Sequence, residues 1–373
     1  MRPLLCLVLA AAAACGKSAP SDTILVGEFA SLTGSEATFG QSTHQGIALA
    51  VKELNASGGI AGKKIELRVV DDASKVDEAG TVVTRLITSD KVVAVLGEAA
   101  SSRTIAGARV AQRYGVPLIT PSSTNVQVTA VGDKIFRVCF IDSFQATVLA
   151  RYIRENLKAT RVAVLYDQAQ AYSKGLATEL TAEVKKRGGD IVAQQAYSGG
   201  DQDFSAQLTT IREAKPEILF IPGYYTEGAN IAIQARKLGL DVPLLGADGW
   251  SSPQLGVIGG AAMEGATYSD HYANDEARPE VQAFVGRFEA EYQQPPADVL
   301  AALGYDAARV LFDAMARAGS TNGDAVAKAL AATREFHGVT GVLTMDAQRN
   351  PTKSAVIVQI RNGKPHWVAT IAP

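Results

Sequence analysis

Cysteine, histidine and motif-bearing clusters are scarce in this chain, and each scarcity narrows what it can do. Only three cysteines occur in 373 residues. Cys6 and Cys15 fall in an N-terminal segment read below as a removable signal, which leaves Cys139 alone. No disulfide can staple the mature monomer, so its stability has to come from hydrophobic cores. Cys139 sits in the apolar stretch 135–141 and reads as a buried, inert thiol. The four histidines, His44, His271, His337 and His366, are scattered through different elements, and each reads as a surface or satisfied residue rather than a ligand or base. There is no H-E-x-x-H, no CxxC, no G-x-S-x-G elbow and no G-x-x-x-x-G-K-[ST] loop. No catalytic set, metal site or cofactor is indicated. The net charge is only −2, which offers no basic surface to nucleic acid or to an anionic bilayer.

No apolar run is long enough to span a membrane. The longest at the start, Leu4–Ala14, follows Arg2 and ends Ala12-Ala13-Ala14-Cys15-Gly16. That ending is the small-residue-then-cysteine pattern of a bacterial lipoprotein signal, with Cys15 as the acylated residue. An ordinary secretory signal cut near the alanines is the other reading. In both, residues 1–20 are signal and tether and the mature protein is exported, to the periplasm or cell surface. The remainder, about 350 residues, exceeds one comfortable core and suggests two domains.

Strands and helices alternate along that remainder. Strands are expected at 23–30, 65–70, 92–96, 116–120 and 135–140, with helices at 45–55, 76–89 and 104–114 and a Gly/Ser/Thr loop at 31–40. Asp71-Asp72 reads as a turn, not a metal site. The rhythm restarts with strands at 161–166, 191–197, 218–222 and 244–246, between helices at 143–157, 172–187, 204–214 and 226–238. A strand at 264–269, helices at 279–292, 299–318 and 323–332, and strands at 341–345 and 355–360 complete the chain. Alternation of this kind argues for α/β architecture with parallel, doubly wound sheets. The late helices are expected to return to the first lobe and the last strands to finish the second. The first lobe is then 23–141 plus 270–347, the second 142–269 plus 348–373, with three crossings between them.

Residues 92–124 hold the most informative pattern. Two buried strands each end in small hydroxyl residues, Ser101-Ser102 after the first and Ser122-Ser123-Thr124 after the second. In a parallel sheet both clusters stand at the carboxyl edge, where such sheets bind ligands. Hydroxyls beside a helix N-terminus favour a small anion such as a carboxylate. Serines that merely cap helices are the alternative for either cluster alone.

Several stretches, in this order and spacing, resemble the branched-chain amino-acid-binding proteins of ABC importers. They are Asn55 to Ile60 (NASGGI) with Gly62 and Asp71-Asp72; Gly97 with Ser101-Ser102; Ile119-Thr120-Pro121; Thr147 with Tyr152; Asp201 with Asp203-Phe204; and Leu245 to Asp248 (LGAD). The resemblance covers essentially the whole mature chain. It implies two Rossmann-like lobes joined by three hinge crossings, closing over a free amino acid that is handed to a membrane permease, with no cofactor. By the same resemblance Ser101, with Ser102 beside it, meets the ligand carboxylate. The Ser122 carbonyl takes the ammonium, Thr124 bridges both groups, and Asp248 is the ammonium counter-ion. Tyr172, Tyr224, Phe39 and Tyr305 are implied as cleft aromatics; on burial alone Tyr224-Tyr225 could equally be core. Ser74 and Ala100 stand where some relatives carry a disulfide. Glu36, together with Asp248, points to a cleft more polar than one for aliphatic side chains. Glu36 and Glu227 are the next candidates for the ammonium. A receptor of the same fold that signals ligand occupancy to a membrane partner is the second functional reading.

The chemistry agrees with an amino-acid site. A zwitterion buried without partners costs several kcal/mol, so both its charges need them. Hydroxyls on one lobe and a carboxylate on the other would supply both, and bridging the lobes would favour their closed arrangement.

Overall fold

A computed structural model describes residues 23–372. The expected signal, tether and Cys15 lie outside the described residues. Among those described, no helix is long and apolar enough to cross a membrane.

The first half of the chain forms β1 (Thr23–Ala30), α1 (Ala37–Ala56), β2 (Lys64–Asp71), α2 (Val76–Thr88), β3 (Ala94–Gly97), α3 (Ser101–Tyr114), β4 (Leu118–Thr120), α4 (Gln127–Ala130) and β5 (Ile135–Arg137). Their strands pair in the order β2-β1-β3-β4-β5, all parallel. β3, β4 and β5 are buried along their whole length, as strands covered on both faces must be, which is why they read as continuous apolar runs.

The chain then makes α5 (Asp142–Glu155), β6 (Arg161–Asp167), α6 (Ala171–Lys186), β7 (Asp190–Tyr197), α7 (Ser205–Glu213), β8 (Ile218–Phe220), α8 (Tyr225–Lys237), β9 (Leu244–Gly246), α9 (Pro253–Gly259) and β10 (Thr267–Asp270). It continues with α10 (Pro279–Tyr292), α11 (Leu300–Ala318), α12 (Gly323–Ala331), a small hairpin of β11 (Phe336–Gly338) and β12 (Gly341–Leu343), then β13 (Ala355–Arg361) and β14 (Lys364–Ile371). The second sheet has the order β14-β13-β10-β9-β8-β6-β7, parallel from β7 to β10 and antiparallel beyond. α10 and α11 pack against α1 of the first lobe. The chain therefore passes between the lobes three times, at 138–141, at 271–278 and at 344–354.

Three local expectations differ from the structure. The loop expected at 31–40 is half helix, because α1 starts at Ala37. Gly34, at φ +94°, turns the chain before it, whereas Gly40 and Gly46 within α1 serve close approach. A Cβ on Gly40 would lie 2.1 Å from the Ser31 carbonyl oxygen, and one on Gly46 only 1.8 Å from that of Ala301 in α11. α3 begins at Ser101, so Ala100 holds its N-cap position and neither serine caps α3. No strand is expected where β14 lies, although Asn362 and Gly363 before it, both at positive φ, are the residues a tight hairpin turn needs. Cys139 is fully buried, and burial pushes its thiol up to about 12, as an inert core cysteine requires.

Candidate functional site

One small, narrow cavity lies between the lobes, at the carboxyl ends of both sheets. The first lobe lines it with Phe39, Ala99, Ser101, Ser122, Val299 and Leu300; the second with Tyr172, Tyr224, Asp248 and Gly249; and His271 comes from the second crossing. Six of the residues singled out from sequence thus line one cavity: Phe39, Ser101, Ser122, Tyr172, Tyr224 and Asp248.

The parallel sheets explain the meeting. Ser101 opens α3 just after β3, and Ser122 follows β4 by two residues. Tyr172 lies in the first turn of α6 after β6, Tyr224 precedes α8 after β8, and Asp248 follows β9. Every one is a strand-to-helix connection at a carboxyl edge. The Ser101 hydroxyl accepts the Asn125 N–H at 3.2 Å, and the Ser122 hydroxyl donates to the Ala99 carbonyl at 3.0 Å.

Asp248 is held firmly from within its own lobe. Its Oδ1 accepts the Tyr172 hydroxyl and the Gln145 side-chain amide, each at 2.8 Å. The Tyr172 hydroxyl in turn accepts the Gly249 N–H at 3.0 Å. The rings of Tyr172 and Tyr224 stack with centroids 5.3 Å apart, and Phe39 meets Tyr224 edge-on from the opposite lobe at 5.8 Å. Burial and the neighbouring Asp248 charge push the Tyr172 hydroxyl well above its ordinary value, so it stays a donor at any physiological pH.

The remaining sequence candidates stand elsewhere. Ser102 is beside the cavity, where its hydroxyl accepts the Ala171 N–H of the second lobe at 2.9 Å. Thr124 is fully buried next to the Asp142 carboxyl. Tyr305, implied as a cleft aromatic, is not in the cleft: its hydroxyl donates to Glu53 at 2.5 Å, and Arg287 and Arg309 flank its ring. Glu36 is no free carboxylate. It pairs with the buried Arg103 at 2.5 Å, and that guanidinium also lies 3.2 Å from Glu98 and 3.9 Å from Asp72. Glu227 is half-buried in the first turn of α8 and does not line the cavity. Asp71 does serve its turn, accepting the Leu32 and Ala73 N–H groups.

Sequence reading missed His271, Val299 and Leu300. The two aliphatic residues sit at the start of a long helix, where nothing distinguishes them from core. His271 is neither at the surface nor satisfied. It is buried, its ring stacks on Phe140 at 3.9 Å, and its Nε2 is 3.4 Å from Asp248 Oδ2.

Several hydrogen bonds join the two lobes across the cleft. Besides Ser102 with Ala171, the Asn125 amide donates to the Ala171 carbonyl at 2.7 Å, Thr38 meets Ser252 at 3.0 Å, and Thr226 donates to the Ser35 carbonyl at 3.1 Å.

The sequence profile described as periplasmic binding protein matches residues 23–365 of this chain. The chain belongs to that family. It is 33% identical over 332 residues to a Leu/Ile/Val-binding protein homologue of Brucella melitensis, covering 88% of each chain. It is 31% identical over 332 residues to the leucine-, isoleucine-, valine-, threonine- and alanine-binding protein of Pseudomonas aeruginosa, covering 88% of this chain and 87% of that one. Among solved structures, a leucine-binding protein of Thermotoga maritima superposes with a TM-score of 0.90 at 36% identity, over 94% of this chain and 99% of that one. The branched-chain amino-acid transporter substrate-binding protein of Streptococcus pneumoniae, in complex with isoleucine, gives 0.88 at 35%, over 94% and 100%. The two-lobed α/β fold of this periplasmic binding protein is that of the family.

Proposed function

We propose that this periplasmic binding protein captures a free α-amino acid between its lobes and delivers it to an ABC importer. The observation that carries the reading is the division of the cavity wall, with hydroxyls from the first lobe and a carboxylate from the second. Ser101, at the N-terminus of α3, and Ser122 offer donors and an acceptor at one end. Asp248 offers negative charge at the other. An α-amino acid carries the complementary pair of charges, and neither can be buried without such partners. Phe39, Tyr224, Val299 and Leu300 leave an apolar surround for its side chain, consistent with relatives named for leucine, isoleucine and valine.

The moving bodies in this reading are 23–141 with 270–347 and 142–269 with 348–373. Ligand bridging both favours the closed arrangement by its greater affinity for it. Cys15, once acylated, would tether the protein to the membrane beside the permease through residues 16–22; several acyl chains anchor stably where one does not. No bond chemistry is required of the cavity.

A thermal-shift screen of the free L-amino acids tests the reading. Ligand at 100 times its Kd adds about 2.7 kcal/mol of stability, enough for a clear rise in Tm. A rise with a sugar or a peptide and with no amino acid would refute it.

A further inference from the structure

His271 is the first residue after β10, and so it opens the second crossing between the lobes. Its ring is 2% exposed and lines the cavity. It stacks on Phe140 of the first crossing, with centroids 3.9 Å apart and planes 25° apart, which fixes its orientation. Nε2 is directed toward Asp248 Oδ2 at 3.4 Å. Among the described residues, neither ring nitrogen has a hydrogen-bond partner of good geometry. A buried imidazole left so is costly, and the cavity is the side from which a partner can come.

We propose that His271 is a ligand-contacting residue that works only as the neutral imidazole: Nε2 accepts one N–H of the ligand's ammonium group while Asp248 accepts another, and the imidazolium takes the ammonium's place beside Asp248. The inference rests on the amino-acid reading above. An ammonium group has three N–H donors, enough for His271, Asp248 and one first-lobe acceptor. Protonated His271 would present a cation to that same carboxylate and would repel the ligand's own.

The charged groups facing the ring set the direction of the pH effect. Burial holds its pKa below the ordinary value of 6.5. Asp248, from the loop after β9, opposes that shift, and Lys353, from the third crossing, reinforces it. The first crossing contributes the uncharged Phe140. On the ring's own segment, Asp270 accepts the His271 backbone N–H at 2.8 Å. Tyr172, Val299 and Leu300 complete the cavity around it without charge. The imidazole is therefore neutral at pH 7 and takes a proton only below 6.5. Capture weakens as pH falls through that range and is unimpaired above it.

Calorimetric titration of the mature protein with L-leucine and with L-threonine, at pH 7.5 and at pH 5, tests this on wild type and on His271→Phe. The wild type should bind more weakly at pH 5 than at pH 7.5 and should release a proton on binding at the lower pH, measured in two buffers of different ionisation enthalpy. His271→Phe, which keeps the stack on Phe140, should bind several-fold more weakly at pH 7.5 and show little further loss at pH 5. A wild-type affinity that is flat with pH, or a variant that keeps the wild-type pH profile, would overturn the proposal. Should the variant not fold, proton release by the wild type alone decides. Absence of binding by every free L-amino acid at pH 7.5 would refute the amino-acid reading itself, an outcome distinct from pH-independent binding.

Discussion

The Ser102 hydroxyl accepts the backbone N–H of Ala171 at 2.9 Å, tying the first turn of α3 in one lobe to the first turn of α6 in the other. Asn125 takes up the Ala171 carbonyl at 2.7 Å, so both backbone groups of one second-lobe residue are satisfied by the first lobe. In the proposed hinge motion such bonds would exist only while the lobes are together.

Ser102→Ala should therefore weaken ligand binding without touching the open, ligand-free protein. A net hydrogen bond contributes about 0.5–1.5 kcal/mol, so affinity should fall roughly two- to tenfold. Calorimetry beside a ligand-free thermal melt would show the first change and not the second.

Asp142 is fully buried, its carboxylate oxygens lack partners of good geometry, and burial lifts its pKa to about 8. With the folded value raised above the unfolded one, the folded state is penalised progressively as pH rises from about 4 to 8. Asp142→Asn should accordingly raise Tm by several degrees at pH 8 and by little at pH 4. Melts of both proteins across that range would check it; a variant destabilised equally at all pH values would contradict it.

Gly46 lets α1 lie directly on α11, where a Cβ would stand 1.8 Å from the Ala301 carbonyl oxygen. The obstacle is backbone, which cannot rotate away. Gly46→Ala should cost about 3 kcal/mol or more by overpacking, read as a lower urea midpoint with an unchanged slope.

Replacing Cys15 by Ser should release the protein from the membrane fraction to the soluble one. Retention of that variant on membranes after a salt wash would contradict lipid anchoring.

What was legible in the chain followed from regularities that leave a mark on composition. Parallel strands buried on both faces show as apolar runs, so β1, β6 and β8 stand out, and ligand groups in such sheets collect just beyond those runs. Ser101, Ser122 and Asp248 were within reach for that reason. The edge strand β14 was not, since KPHWVATI is largely exposed and lacks an apolar run. Glu36 looked like a cleft carboxylate because its partner, Arg103, is remote in sequence and joined to it only by folding. His271 gives no signal at all. Its place beside Asp248 arises where two crossings meet, and no periodicity records that.

The central claim is that Asp248 pairs with the ammonium of a bound amino acid, and one calorimetric comparison tests it most directly. L-leucine and its des-amino analogue 4-methylpentanoate would each be titrated into wild type and Asp248→Asn. A charge-assisted bond to a buried ammonium contributes about 1.5–3 kcal/mol. The account predicts that removing either partner, the amine or the carboxylate, weakens binding roughly tenfold or more, and that removing the second adds much less. Because Tyr172 and Gln145 also donate to this carboxylate, the ligand-free variant should lose about 1 kcal/mol of stability and still fold. Equal affinities of the two proteins for leucine, or of the wild type for leucine and its des-amino analogue, would contradict the account.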